Sequence, residues 1–300
     1  MDLKKLKNEY PFSFNYFEIK GNKMHYLDEG KKNAPVILMV HGNPTWSFYY
    51  RNLVKNLRNN YRVIVPDHLG CGLSDKPQDY AYRIKDHIQN LSALIRHLEI
   101  DQYFLVIHDW GGPIGVGSAL HAPEKVRGMV VLNTSLFYID EIPWQIKLSR
   151  TPIIGELFVR GLNLFSIGAY FMAITQKEKR SQEVYDAYIQ PYNSWKNRIA
   201  VYRFVQEIPL EENHPTRALL NELGAKTKLF ENTPMLIAWG DQDFVFTPGD
   251  FCSEFEKRFP QAEIHHFPKA GHYVLEDEDE EIQLLVREFI DQISMSRTQE

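Results

Sequence analysis

The chain is poor in sulfur nucleophiles and metal ligands: 300 residues carry two cysteines, Cys71 and Cys252. Two thiols cannot make a disulfide framework or a cysteine-based metal knuckle, and two reduced thiols are a plainer reading than one bridge. Long apolar runs are missing too. The longest, of which Val36 to Val40 is typical, are one strand long, far short of the ~20 residues a membrane-crossing helix needs. The Lys-rich stretch Met1 to Pro11 is not followed by an apolar run of ~7–15 residues, which argues against a secretory signal and for a cytoplasmic chain. Nor is positive charge in surplus. Basic residues number 34 against 39 acidic ones, a net charge of −5, so the electrostatic footprint of a nucleic-acid binder is absent. No repeat or low-complexity tract occurs.

What remains is a globular composition, 44% hydrophobic and 24% charged, able to bury a substantial core. Its length fits one large domain, or one domain carrying an insertion. Short β-rich runs alternate with helical periodicity through the first 133 residues. Strands are predicted at Met24 to Asp28, Val36 to Val40, Arg62 to Val65, Tyr103 to His108 and Gly128 to Asn133. Ile84, Ile88, Leu91, Ile95 and Leu98 fall at helical spacing between them, and Gly111 to Ala122 reads as a second helix. Such alternation predicts an α/β fold, a mostly parallel twisted sheet with helices on both faces. From Thr134 to Glu212 no strand signal is found, and helices are predicted at Ile153 to Phe171 and Glu183 to Gln206. Alternation returns with Met235 to Trp239, a helix around Asp250 to Phe259, a strand at Glu263 to Phe267 and a final helix from about Glu278. The expected division is therefore a core of 1–133 and 213–300 with a helical cap at 134–212 over the carboxyl edge of the sheet, where open α/β sheets bind ligands.

The strongest local signal is Leu105-Val106-Ile107-His108-Asp109-Trp110-Gly111-Gly112. A strand stops at a polar residue and glycines open a helix, the context of a nucleophile elbow. Here Asp109 takes the central position of G-x-S-x-G, and Ile107 replaces the first glycine; taken alone, Asp109 could equally be a helix cap. Val40-His41-Gly42-Asn43-Pro44 has the setting of an oxyanion-hole loop, and Pro66 to Ser74 forms the next strand exit. Gly240-Asp241-Gln242-Asp243 and Ala270-Gly271-His272 follow the last two strands, giving nucleophile, acid and histidine in α/β-hydrolase order. Position, not residue type, singles out His272 among eleven histidines.

With these motifs in view, the chain resembles an α/β-hydrolase of the haloalkane-dehalogenase-like group over most of its length. His41-Gly42-Asn43-Pro44-Thr45 and His108-Asp109-Trp110-Gly111-Gly112 carry the resemblance. Three further segments are similar to the β-lactone decarboxylases of bacterial olefin biosynthesis: Pro44 to Arg51, Asn193-Ser194-Trp195-Lys196-Asn197-Arg198 and Arg203 to Leu210. The resemblance implies a small apolar substrate and leaves room for assembly with other enzymes of such a pathway.

An aspartate nucleophile makes chemical sense for substrates attacked at saturated carbon. Serine would leave an ether there, whereas a carboxylate leaves an ester that water, activated by His272, can hydrolyse. Alkyl halides, epoxides and strained rings are thus favoured over ordinary esters and peptides. The Trp110 indole N–H and the Asn43 amide are candidate donors to the leaving group, as residues at these positions are in halide-displacing relatives. Some dehalogenases place the triad acid where this chain has Asn133; Asp243 fits the other branch, and Asp241 is expected to organise the turn. Three candidate activities follow. A cis-disubstituted β-lactone decarboxylated to an alkene is preferred, haloalkane hydrolysis is the close alternative, and epoxide hydrolysis lacks a motif that selects two among Tyr170, Tyr185, Tyr188 and Tyr192. A binding protein without activity is disfavoured by the intact Asp109, Asp243 and His272. Gly112, Gly115 and Gly117 are read as helix-packing glycines, and Glu276 to Glu281 as a solvated first helical turn. Neither supports a cofactor, and no metal-ligand spacing is found. Phe137, Trp144, Phe158, Phe165, Phe171 and Phe204 are expected to line an apolar pocket under the cap.

Overall fold

A computed structural model of the chain describes residues 6–140 and 142–296. The first five residues of the Lys-rich N-terminus therefore lie outside the described residues. Eight strands form one sheet in the order β1-β2-β4-β3-β5-β6-β7-β8. They are β1 Asn15–Ile19, β2 Asn22–Glu29, β3 Val36–Val40, β4 Arg62–Pro66, β5 Tyr103–Asp109, β6 Val126–Thr134, β7 Met235–Gly240 and β8 Glu263–Phe267. Strands β3 to β8 run parallel, while β1 and β2 pair antiparallel at one edge.

The central strands are continuously apolar because both faces are covered. Ile37, Met39, Val63, Val65, Phe104 and Val106 pack into one core layer. Their neighbours Leu38, Val40, Ile64, Leu105 and Ile107 enter the opposite layer. The period of two sorts side chains between two cores rather than between core and solvent. Helices α1 Arg51–Leu57 and α12 Asp279–Ser296 contact each other over the first layer; α2 Ile84–His97 and α3 Gly111–Ala119 do so over the second. Gly115 and Gly117 have the packing role expected: a Cβ would lie 2.8 Å from Ile107 Cγ2 at the first and 2.5 Å from Ile88 Cδ1 at the second.

The helices between β6 and β7 are α4 Trp144–Arg150, α5 Ile154–Glu156, α6 Leu164–Ala173, α7 Gln182–Ile189, α8 Ile199–Gln206 and α9 Pro215–Lys226. After β7 come α10 Ser253–Arg258 and α11 Val274–Asp277. Strand β6 runs on to Thr134, the first residue of the expected cap, and no strand occurs among the described residues of 135–212. The two long helices expected there are broken. Leu157–Gly161 is a π-helical turn, and Asn163 is left-handed at φ 57°, which ends one helix before Leu164 starts the next. Pro191 interrupts the second, because it cannot supply an N–H to a continuing helix. Strand β1 was not expected at all. It is a half-buried edge strand whose residues alternate around Glu18, so its apolar signal is weak.

The acidic run also differs from its reading as a solvated turn. Glu276 and Asp277 are buried. Glu276 accepts a two-pronged bond from Arg51 (2.5 and 2.8 Å) and another from the Tyr188 hydroxyl at 2.5 Å. Asp277 accepts the backbone N–H groups of Thr175, Gln176 and Gly271. The first ties α1 and α11 to α7; the second fixes the loop that carries His272. No described helix is long and apolar enough to cross a membrane.

Candidate active site

Strand β5 ends at Asp109 with φ +52°, a left-handed turn that a non-glycine residue adopts only when held there. Glycines make the approach possible. A Cβ on Gly111 would lie 1.9 Å from the Val40 carbonyl oxygen, and one on Gly42 would lie 2.0 Å from Asp109 Oδ1. Asp109 is not a helix cap, since the residue before α3 is Trp110. Instead the Asn43 backbone N–H donates to Asp109 Oδ1 at 2.6 Å. The loop holding Asn43 is braced by two histidines: the His68 N–H donates to His41 Nε2 at 3.0 Å, and His68 Nε2 donates back to the His41 carbonyl at 2.8 Å.

His272 faces the other carboxylate oxygen, with Nε2 3.5 Å from Asp109 Oδ2. Its Nδ1 donates to Asp243 Oδ2 at 2.7 Å. Asp243 is itself over-determined. Asn133 Nδ2 donates to Oδ2 at 2.9 Å, and the N–H groups of Val245 and Phe246 donate to Oδ1 at 2.7 and 3.0 Å. Asp241 points elsewhere, accepting from His266 Nδ1 at 2.8 Å. Two contributors carried no assigned role in the sequence reading. Asn133, rejected there as an acid, clamps Asp243 and bonds both polar backbone groups of Gly240. His108, beside the elbow, donates from Nε2 to the His272 carbonyl at 2.8 Å. A polar side chain at each strand exit was the available signal for both.

Burial opposes an imidazolium at His272, but Asp243 and Asp109 outweigh it and raise the pKa to about 10. Burial likewise opposes charge on Asp109, yet the hydrogen bond and charge of His272 and the Asn43 N–H hold its pKa below the usual value. Each group thus favours the charged form of the other.

Both side chains open into an apolar cavity of about 300 Å³ whose lining also includes Asn43 and Trp110. One amide hydrogen of Asn43 is engaged with the Val201 carbonyl at 3.3 Å, leaving a second, while its Oδ1 is buried without a partner among the described residues. Phe137, Trp144, Phe158 and Phe165 line the cavity as expected. Phe171 and Phe204 do not. Phe171 is half-exposed and packs on Tyr170 and Tyr185; Phe204 is buried in the core and stacks on His87 at 4.6 Å. None of Tyr170, Tyr185, Tyr188 and Tyr192 lines it, and the hydroxyls of Tyr170, Tyr188 and Tyr192 are bonded elsewhere. Away from the cavity, Cys252, Glu256 and His266 bring possible ligand atoms within 4.8 Å of one another, a grouping the sequence spacing did not suggest.

An elbow aspartate, a histidine and a second aspartate at three strand exits of such a sheet define a class. The chain belongs to the α/β-hydrolase fold family, whose pattern matches residues 35–279. Within it the protein is a haloalkane-dehalogenase-like enzyme. It is 41% identical to a cis-3-alkyl-4-alkyloxetan-2-one decarboxylase of Shewanella oneidensis, over 96% of this chain and 92% of that one. It is 32% identical to haloalkane dehalogenase 2 of Mycobacterium tuberculosis, over 91% and 93% of the two chains. The crystal structure of a haloalkane dehalogenase from Bradyrhizobium elkani superposes with a TM-score of 0.87 at 28% identity, covering 95% of this chain and 99% of that one.

Proposed function

We propose that the protein decarboxylates cis-disubstituted β-lactones to cis-alkenes, with Asp109 as nucleophile, His272 and Asp243 completing the triad, and Asn43 and Trp110 as leaving-group donors. The likeness to the Shewanella decarboxylase along nearly the whole chain supports the substrate class. The observation that carries the chemistry is the division of labour at Asp109. One oxygen is held by the Asn43 N–H, and the other faces His272 at the wall of an apolar cavity.

In this reading Asp109 Oδ2 attacks the ring's alkoxy carbon as the ring C–O bond breaks, releasing a carboxylate. Asn43 and Trp110 stabilise the charge that develops on it. The Trp110 indole N–H has no hydrogen-bond partner among the described residues and is available for this. The carboxylate carbon then departs as CO₂; its bonding pair forms the alkene as the bond to Asp109 breaks. The His272 imidazolium stabilises Asp109 as it regains its charge. No water or proton is consumed. Inversion at the attacked carbon followed by anti elimination amounts to net syn loss, so a cis ring gives a cis alkene. The segment 134–212 acts as the cap that supplies the apolar lining, and a cytoplasmic setting fits a chain without a described spanning helix.

Haloalkane hydrolysis is the second reading, favoured by the superposition on a haloalkane dehalogenase. It needs a neutral His272 to activate water once Asp109 is an ester. Esterification removes one of the two negative neighbours that raise the His272 pKa, so the step is accessible. Purified enzyme given each substrate decides between them. Alkene and CO₂ from the β-lactone, without halide release from 1-bromobutane or 1,2-dibromoethane, is the expected result; rapid halide release without alkene overturns it.

A further inference from the structure

The cap turns an unusual face to solvent. From Trp144 to Met172 nine large apolar side chains are exposed, among them Ile153 at 83%, Ile154 at 62%, Leu157 at 55% and Leu162 at 59%. A surface helix ordinarily carries charge on its outer side. Helix α6 carries none, and between Thr151 and Thr175 only Glu156 and Arg160 are charged, paired with each other at 2.7 Å. So apolar a surface exceeds the scattered hydrophobes normal for a soluble monomer and marks an interaction site. It borders the cavity mouth: Trp144, Leu148, Leu164 and Met172 are exposed and also line the cavity.

Charge points to the occupant. The chain as a whole is −5, yet residues 144–180 hold six basic and two acidic side chains. Lys147 on α4, and Lys177 and Lys179 just after α6, are exposed. Apolar side chains flanked by lysines, with no described helix able to span, describe an element that lies in the interface of an anionic bilayer. We infer that α4 to α6 dock the enzyme on an anionic lipid surface, opening the cavity toward the leaflet. This rests on the proposed function only in explaining why docking is useful: long-chain lactones and alkenes partition into lipid, so a mouth at the interface spares them transfer through water.

The test is co-sedimentation of the full chain with vesicles of phosphatidylcholine alone, or containing phosphatidylglycerol. Wild type should pellet with the anionic vesicles and less at high salt, and roughly fivefold weaker binding should follow each Lys→Gln change at 147, 177 or 179. The triple variant Ile153→Asp, Ile154→Asp, Leu157→Asp should stay in the supernatant while keeping its turnover of a short, water-soluble β-lactone, because none of the three lines the cavity. Wild type that ignores every vesicle, or a triple variant that pellets equally, overturns the proposal. So does a lipid-indifferent wild type that self-associates through this face, which would make it an interface between copies. Failure of lactone turnover with vesicle binding intact would count against the function and not against the docking surface.

Discussion

At the sheet edge, polar bonds hold the proposed reacting groups; in the proposed cap, apolar packing holds the side chains proposed to meet the substrate's chains. Asp243 accepts four hydrogen bonds, from His272, Asn133, Val245 and Phe246, and Asp109 is fixed by Asn43 with His272 beside it. Phe158 and Phe165 have no polar atom to fix, and the helix that carries Phe165 begins after a left-handed break. The contrast has a physical reason. Directional bonds set the angles that chemistry needs, whereas apolar contact is nondirectional and tolerates ligands of varying shape. Changes at the edge should therefore alter rate with little effect on fold, and changes in the cap should alter selectivity.

The largest effect is expected from Asp109→Ala. Turnover should fall by about 10⁴-fold or more while the thermal midpoint stays close to wild type, since the residue sits at an elbow and not in a packed layer. Thermal unfolding and steady-state kinetics check this together. Next comes Asp243→Asn, with a loss of about 10³–10⁴-fold, because an amide cannot stabilise the imidazolium. Asp241→Asn should be nearly silent, and the reverse ranking would break the assignment of the acid.

Arg51→Met probes the joint between the two regions. It leaves Glu276 buried without its cation, at a cost of about 3–5 kcal/mol readable by denaturant unfolding. Acid sensitivity separates the histidines that burial keeps neutral from His272. Burial holds His87 and His108 near a pKa of about 3 in the folded chain, against about 6.5 unfolded. Below pH 6.5 the unfolded chain binds the extra protons, so this stability is present above 6.5 and is lost as pH falls toward 3. His272 has the opposite sign: its pKa is raised to about 10, so its contribution is present below 6.5 and is lost as pH rises through 10. His87 has no hydrogen-bond partner on either ring nitrogen among the described residues, so His87→Leu should flatten the acid limb of the thermal midpoint against pH and leave the alkaline limb alone. The smallest effect is expected from Phe165→Ala, which should shift kcat/KM among alkyl chain lengths by about 10–200-fold without changing the chemistry.

The sequence made the edge more legible than the cap, for related reasons. Val36 to Val40 stands where expected to the residue, because a buried parallel strand writes itself as a short apolar run bounded by turns. Asp109, Asp243 and His272 were legible as candidates because each lies at or within five residues after a strand end, and backbone topology brings strand ends together. Asn133 and His108 act by holding other groups, and nothing local in the sequence says what an asparagine or histidine will hold. Glu276 looked solvated because its neighbours are acidic; its partner, Arg51, lies 225 positions away. In the proposed cap, Phe165 and Phe171 are six residues apart on one helix, about 240° around it, so only the first lines the cavity. Breaks at Asn163 and Pro191 reset the helical phase, and periodicity cannot follow a phase through a break.

The central claim is that Asp109 forms and loses its bond to substrate carbon without water entering. It is tested most directly by many turnovers of a cis-disubstituted β-lactone in ¹⁸O-enriched water, followed by mass spectrometry of the peptide that contains Asp109. The account predicts stoichiometric alkene and no ¹⁸O in that carboxylate. Progressive labelling of Asp109 would show that hydroxide attacks the ester carbonyl in each cycle, and would contradict it in favour of a hydrolase.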